Sequence, residues 1–224
     1  MRLGVLVSGR GSNLEAVLRA VADGVLANVR PVLVVANRAG CRALEVAAAH
    51  EIPTRVERRA DHGSAAERDG ALGRALADSG ADLALLAGYD QLLHRPFFDA
   101  FAGRTINIHP SLLPRHGGKG MTGLAVHAAV LQSGAGETGV TLHEVTPDLD
   151  AGPILRQVRV PVRPGDTADS LAERVLAVEH VVLVELLADL AAEGGSGGMS
   201  ASMTAASGHR RVPGAPQQRS LSDA

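Results

Sequence analysis

The chain predicts an α/β fold, a doubly wound and mostly parallel sheet with an antiparallel strand pair near its C-terminal end, and three observations carry that expectation. Short apolar runs recur at residues 3–8, 31–36, 83–87 and 105–109, as buried parallel strands require. Ala- and Leu-rich stretches of helical length and period separate and follow them, at residues 13–23, 41–50, 65–79 and 124–133. The alternation then stops, because residues 139–144 and 154–162 are strand-like with no helix between them, which suits antiparallel neighbours. Residues 54–58 supply a further short strand, and residues 167–190 form a long last helix. Right-handed crossovers would place helices on both faces of the twisted sheet, a Rossmann-like arrangement.

Residues 1–193 are expected to form one domain. From Gly194 to Ala224 the composition turns to Gly, Ser, Ala and Pro with scattered Arg. With no apolar periodicity to offset ordering entropy, that stretch reads as a disordered low-complexity tail. The 224 residues are 46% hydrophobic, enough to bury about 70% of the unfolded surface in one core. A net charge of -2 supplies no basic field for nucleic acid or anionic lipid. No apolar stretch reaches bilayer length, and the N-terminus reads as a first strand rather than a signal peptide. A soluble, cytoplasmic protein is the expectation. With Cys41 as the sole cysteine, neither an internal disulfide nor a Cys-based zinc site is available. The nine histidines form no His-Glu-x-x-His or comparable ligand spacing, so no metal is expected, and most of them read as surface residues.

Chemistry concentrates in Asn107-Ile108-His109-Pro110-Ser111-Leu112-Leu113-Pro114. Side chains two apart on a strand point the same way, so Asn107 and His109 face one cleft. An amide donor beside an imidazole is what a reaction through a tetrahedral oxyanion needs, one group to bind the negative oxygen and another to move protons near neutral pH. The plainer alternative is a histidine satisfied at a strand end, with Pro110 as terminator. Ser8-Gly9-Arg10-Gly11-Ser12-Asn13 joins the first strand to the first helix, where backbone N–H groups and the helix dipole converge on a phosphate-sized point. Leu14 replaces the third glycine of the dinucleotide fingerprint, and the second strand ends in Val35-Ala36-Asn37 without a ribose-binding carboxylate. A mononucleotide or sugar phosphate therefore fits better than NAD, and a plain tight turn remains the other reading. Asp148-Leu149-Asp150-Ala151-Gly152-Pro153 places two carboxylates in a turn-rich segment; Gly117-Gly118-Lys119-Gly120-Met121 reads as a mobile or substrate-covering loop.

Four of these motifs in order, Gly11-Ser12-Asn13-Leu14, the block from Asn107 to Pro114, Gly118-Lys119-Gly120-Met121 and Leu149-Asp150-Ala151-Gly152-Pro153, resemble the phosphoribosylglycinamide formyltransferase family. The resemblance runs collinearly over about residues 1–193. It implies formyl transfer from 10-formyltetrahydrofolate to the amine of glycinamide ribonucleotide, in purine biosynthesis. Gly11, Ser12 and Asn13 would then hold the ribonucleotide phosphate and Glu179 its sugar portion. Asn107 and His109 would act on the formyl group, with Asp150 holding His109 protonated and placing a water. The folate would lie against Gln91, Leu92, Leu93, Asn107, Thr146, Asp148 and Asp150. Small-molecule substrates, no nucleic acid, no membrane and a monomer or weak homodimer complete the expectation. Other 10-formyltetrahydrofolate enzymes share the Asn107–Pro114 block, with water or an aminoacyl-tRNA as acceptor, and are expected to carry additional domains; a silent nucleotide-binding module is the alternative from another class. An arginine that the family often carries near Ala65, for the folate tail, has Arg68 as its nearest counterpart here.

Overall fold

The computed structural model describes residues 1–195. In chain order the elements are β1 (Arg2–Val7), α1 (Ser12–Ala22), β2 (Arg30–Ala36), α2 (Arg42–Ala49), β3 (Thr54–Val56), a 3-10 turn (Arg59–Asp61), α3 (Ala65–Asp78), β4 (Leu83–Leu86), α4 (Arg95–Ala100), β5 (Arg104–His109), α5 (Leu124–Gln132), β6 (Glu137–Glu144), β7 (Ile154–Pro161) and α6 (Ala168–Gly195). The sheet has seven strands in the order β3-β2-β1-β4-β5-β6-β7. Strands β3 through β5 pair in parallel, whereas β6 runs antiparallel to both β5 and β7. The expected α/β class and the late antiparallel pair are both present.

Two apolar layers sandwich the sheet, and the pleat of β1 shows how residues are allotted to them. Leu3, Val5 and Val7 join the larger cluster with Leu14 and Val17 of α1 and Leu183 and Leu187 of α6. Leu6 points the other way, to Leu72 and Leu76 of α3 and Phe97 and Phe101 around α4. Each such fully buried Leu or Phe is worth about 1.5–3 kcal/mol in removed apolar surface. Strand order reverses between β1 and β4, so their carboxyl ends open a crevice at the topological switch point.

Departures from expectation have local causes. The α4 helix is missing from the sequence reading because six residues, RPFFDA, are too few to display a helical period. The last helix runs to Gly195, beyond both the expected end at 190 and the expected domain limit at 193, since Ala191, Ala192 and Glu193 continue its good helix formers. The rest of the tail reading, residues 196–224, lies outside the described residues.

Candidate active site

Strand β5 sends Ile106 and Ile108 into the larger core, which turns Asn107 and His109 to the opposite side. The antiparallel register sets His143 of β6 directly across from Asn107, and Thr141 across from His109. His143 is 2% exposed. Its Nδ1–H donates to the Glu144 carbonyl at 2.9 Å, so Nε2 is free to accept from Asn107 Nδ2, 3.1 Å away. That bond fixes the amide, yet Asn107 keeps a second N–H and its carbonyl oxygen for a ligand. Burial lowers the His143 pKa, the Glu144 bond and the Asp150 charge oppose that shift, and the His109 charge adds to it.

His109, 5% exposed, directs Nε2–H to the His116 carbonyl at 2.9 Å. Two residues on, the Gly118 N–H donates to Asp150 Oδ2 at 2.7 Å. One short backbone segment thus ties down both groups. Asp150 Oδ1 lies 3.7 Å from His143 Nε2, and no ion pair joins Asp150 to His109. This corrects the expected direct contact: the imidazole that meets the carboxylate is His143, because β6 carries that ring across to the mouth of the loop. Asp150 is also held at φ 52°, in the left-handed region that Asp and Asn tolerate better than most residues.

His143 is the residue that sequence reasoning passed over. The signal was a histidine at period two from Thr141 in a strand expected beside β5, but only the register reveals its partner. His127 of α5, at 4% exposure, is buried along with His109 and His143. Burial and the nearby His109 charge lower its pKa. Lys119 is exposed, and among the described residues no group of three or more His, Cys, Asp or Glu stands close enough to hold a metal ion.

At the β1 end, Gly11 caps α1 with φ 78°, and a Cβ there would come within 2.7 Å of the Ala43 side chain. No side chain caps this helix, leaving its first-turn N–H groups to an external acceptor. The Asn13 side chain turns inward, donating Nδ2–H to Glu179 Oε2 at 2.7 Å across 166 residues of chain. A phosphate contact from Asn13 therefore falls to its backbone. Burial raises the Glu179 pKa and the Asn13 bond opposes the shift; Asn13 Oδ1 is buried without a partner. The structure joins these two predicted residues directly.

Two loops flank the crevice. Leu92, 42% exposed, stands on the loop after β4, where Leu93 is 2% exposed and anchored in the second core. Leu149, 47% exposed, stands on the loop after β6, in which Thr146 Oγ donates to the Asp148 carbonyl at 3.1 Å. Exposed leucines on both loops suit a flat, partly apolar ligand. Arg68, the counterpart suggested for a folate-tail arginine, is 1% exposed and directed inward, so it does not reach such a tail.

An amide and an imidazole at a strand end, with a carboxylate anchored nearby, form the equipment of an acyl-type transferase. The chain matches the family described as formyl transferase over residues 1–187 and belongs to it. It is 41% identical over 196 residues to the chloroplastic phosphoribosylglycinamide formyltransferase of Arabidopsis thaliana, covering 86% of this chain and 66% of that protein. It is also 41% identical over 180 residues to the trifunctional purine biosynthetic protein adenosine-3 of Gallus gallus, covering 80% of this chain and 17% of that one. The chain therefore spans less than two thirds of the length of these two relatives. Glycinamide ribonucleotide transformylase 1 from Symbiobacterium toebii superimposes with a TM-score of 0.80 at 38% identity, covering 86% of this chain and 88% of that one.

Proposed function

We propose that the chain transfers a formyl group from 10-formyltetrahydrofolate to the amine of glycinamide ribonucleotide, as a step of purine biosynthesis. The observation that carries the reading is the placement of Asn107 and His109 side by side at the carboxyl end of β5, with Asp150 against the neighbouring His143, in the sheet whose first turn, Gly11 to Asn13, offers a phosphate cradle. The names borne by the relatives support formyl transfer to the same acceptor.

Formyl folate is the co-substrate. The residues present fit it: exposed Leu92 and Leu149, with the main chain of residues 91–93 and 146–150, provide two walls. Gln91, Leu92, Leu93, Thr146 and Asp148 would hold it there. Gly11, Ser12 and backbone Asn13 hold the acceptor phosphate, and Glu179, steadied by Asn13, meets its sugar. In the reaction the acceptor amine forms a bond to the formyl carbon and the bond from that carbon to the folate nitrogen breaks. Asn107, through its second Nδ2–H, and His109, by turning its Nε2–H from the His116 carbonyl to the substrate, donate to the oxygen that becomes negative. Asp150 orients a water that relays the proton lost by the amine to the departing nitrogen. His143 holds the Asn107 amide in its donating orientation.

Small-molecule partners, a cytoplasmic setting and a monomer or weak homodimer belong to the same proposal. Among the described residues, no helix is long and apolar enough to cross a membrane. The purified chain, mixed with formyl folate and glycinamide ribonucleotide, is expected to change folate absorbance only when both are present. Change with water alone would favour a hydrolase, and a flat trace would leave a silent binding module.

A further inference from the structure

Arg68 is the largest fully buried side chain in the structure, and with Asp69 it forms an ion pair that the proposed chemistry does not use. Its Nε donates to Asp69 Oδ1 at 2.8 Å. Nη2 donates to the same Asp69 oxygen, and the guanidinium also reaches beyond the α3 helix: Nη1 donates to the Gln91 side-chain oxygen and Nη2 to the Leu92 carbonyl, each at 3.2 Å. Asp69 completes the grip with Oδ2, which accepts the His94 backbone N–H at 2.8 Å and the His94 Nδ1–H at 2.6 Å. Thus two adjacent helix residues hold a loop at Gln91, Leu92 and His94, twice through its main chain.

Stability alone does not require such a pair, because burying two charges costs desolvation that an apolar pair avoids. What the network fixes is direction. A trans peptide points its C=O and the following N–H oppositely, so drawing the Leu92 carbonyl to Arg68 turns the Leu93 N–H away from α3. Leu93 and Tyr89, 2% and 8% exposed, pin the ends of the same loop in the core, while Leu92 stays exposed between them.

We propose that Arg68 and Asp69 are positioning residues that set the main chain of residues 91–94 to recognise the heteroaromatic ring of formyl folate; this rests on the folate reading above. They touch no substrate and act through the loop.

The test is Arg68→Met in the full chain, with steady-state constants for both substrates and calorimetric binding of a folate analogue that has no transferable formyl group. A folate KM and analogue Kd raised about tenfold are expected, the worth of one charge-assisted hydrogen bond. The KM for glycinamide ribonucleotide and kcat are expected to stay within about twofold, since neither rests on this loop. A folded Arg68→Met with unchanged folate constants overturns the proposal, as does an equal loss in all constants, which marks a merely structural role. If circular dichroism shows Arg68→Met unfolded, His94→Ala decides: its ring is 44% exposed and its loss removes a single side-chain bond. That variant is expected to raise the folate KM about threefold by itself, and no rise refutes the positioning role. A wild-type chain that transfers no formyl group sinks the folate reading instead, so the two failures are distinct.

Discussion

Replacing Asp150 by Asn isolates a charge from everything else that residue does. The backbone there lies at φ 52°, a conformation Asn accepts almost as readily as Asp, so the substitution adds little strain. The Asn carbonyl oxygen can take over the 2.7 Å bond from the Gly118 N–H. What vanishes is the negative charge 3.7 Å from His143 and the strong acceptor for the relaying water. General acid–base assistance is worth roughly 100- to 10,000-fold, and a loss of at least 100-fold in kcat is expected with a melting temperature near wild type. Asp150→Ala is the contrast. It places a residue less tolerant of positive φ at that position and drops the Gly118 bond, together about 2 kcal/mol, so its melting temperature should fall by about 4–8 °C. Folate absorbance with saturating substrates gives the rate, and a thermal melt gives the stability. Asp150→Asn turning over at near wild-type speed would refute the role argued for the carboxylate, and an Asn variant as unstable as the Ala one would refute the backbone argument.

His109→Ala removes one oxyanion donor and should cost about 100- to 1000-fold in kcat while circular dichroism shows a folded chain; a loss under tenfold in the same assay counts against it. Glu179→Gln removes a buried carboxylate whose pKa burial has raised. A raised folded pKa means the stabilisation is whole below the unfolded value, about 4.3, and is lost as pH rises through the folded value. The Gln variant should therefore melt higher than wild type at pH 8 by about 2–8 °C, with little difference near pH 4, and its amide can satisfy the unpartnered Asn13 Oδ1. Its KM for glycinamide ribonucleotide should rise; equal melts at pH 8 would contradict the assigned shift. Gly11→Ala puts a methyl group within 2.7 Å of Ala43 at φ 78°, so a destabilisation of about 1–2 kcal/mol and a raised ribonucleotide KM are expected by melt and kinetics.

The strands were legible because they are largely buried: β1, β2 and β4 are mostly apolar runs, and the ends of these and of β5 moved by only one residue. The Asn107 and His109 pair was legible because period two is a property of one strand. Relations between strands were not. His143 meets Asn107 only through the β5 and β6 register, and the loop after β6 sets Asp150 against His143 rather than His109. Arg68 is the arginine nearest to Ala65 along the chain, yet packing of α3 buries it, 1% exposed, toward the loop after β4. A short helix such as α4 carries too little periodicity to announce itself, although His94 at its N-cap proves to be part of that same network.

A crystal structure with glycinamide ribonucleotide and a non-transferring formyl-folate analogue bound together tests the central claim most directly. The account predicts the phosphate on the backbone N–H groups of Gly11 to Asn13 and the reacting carbonyl oxygen within hydrogen-bond distance of Asn107 Nδ2 and the His109 ring. A phosphate bound elsewhere, or a formyl group remote from that amide and imidazole, would contradict it.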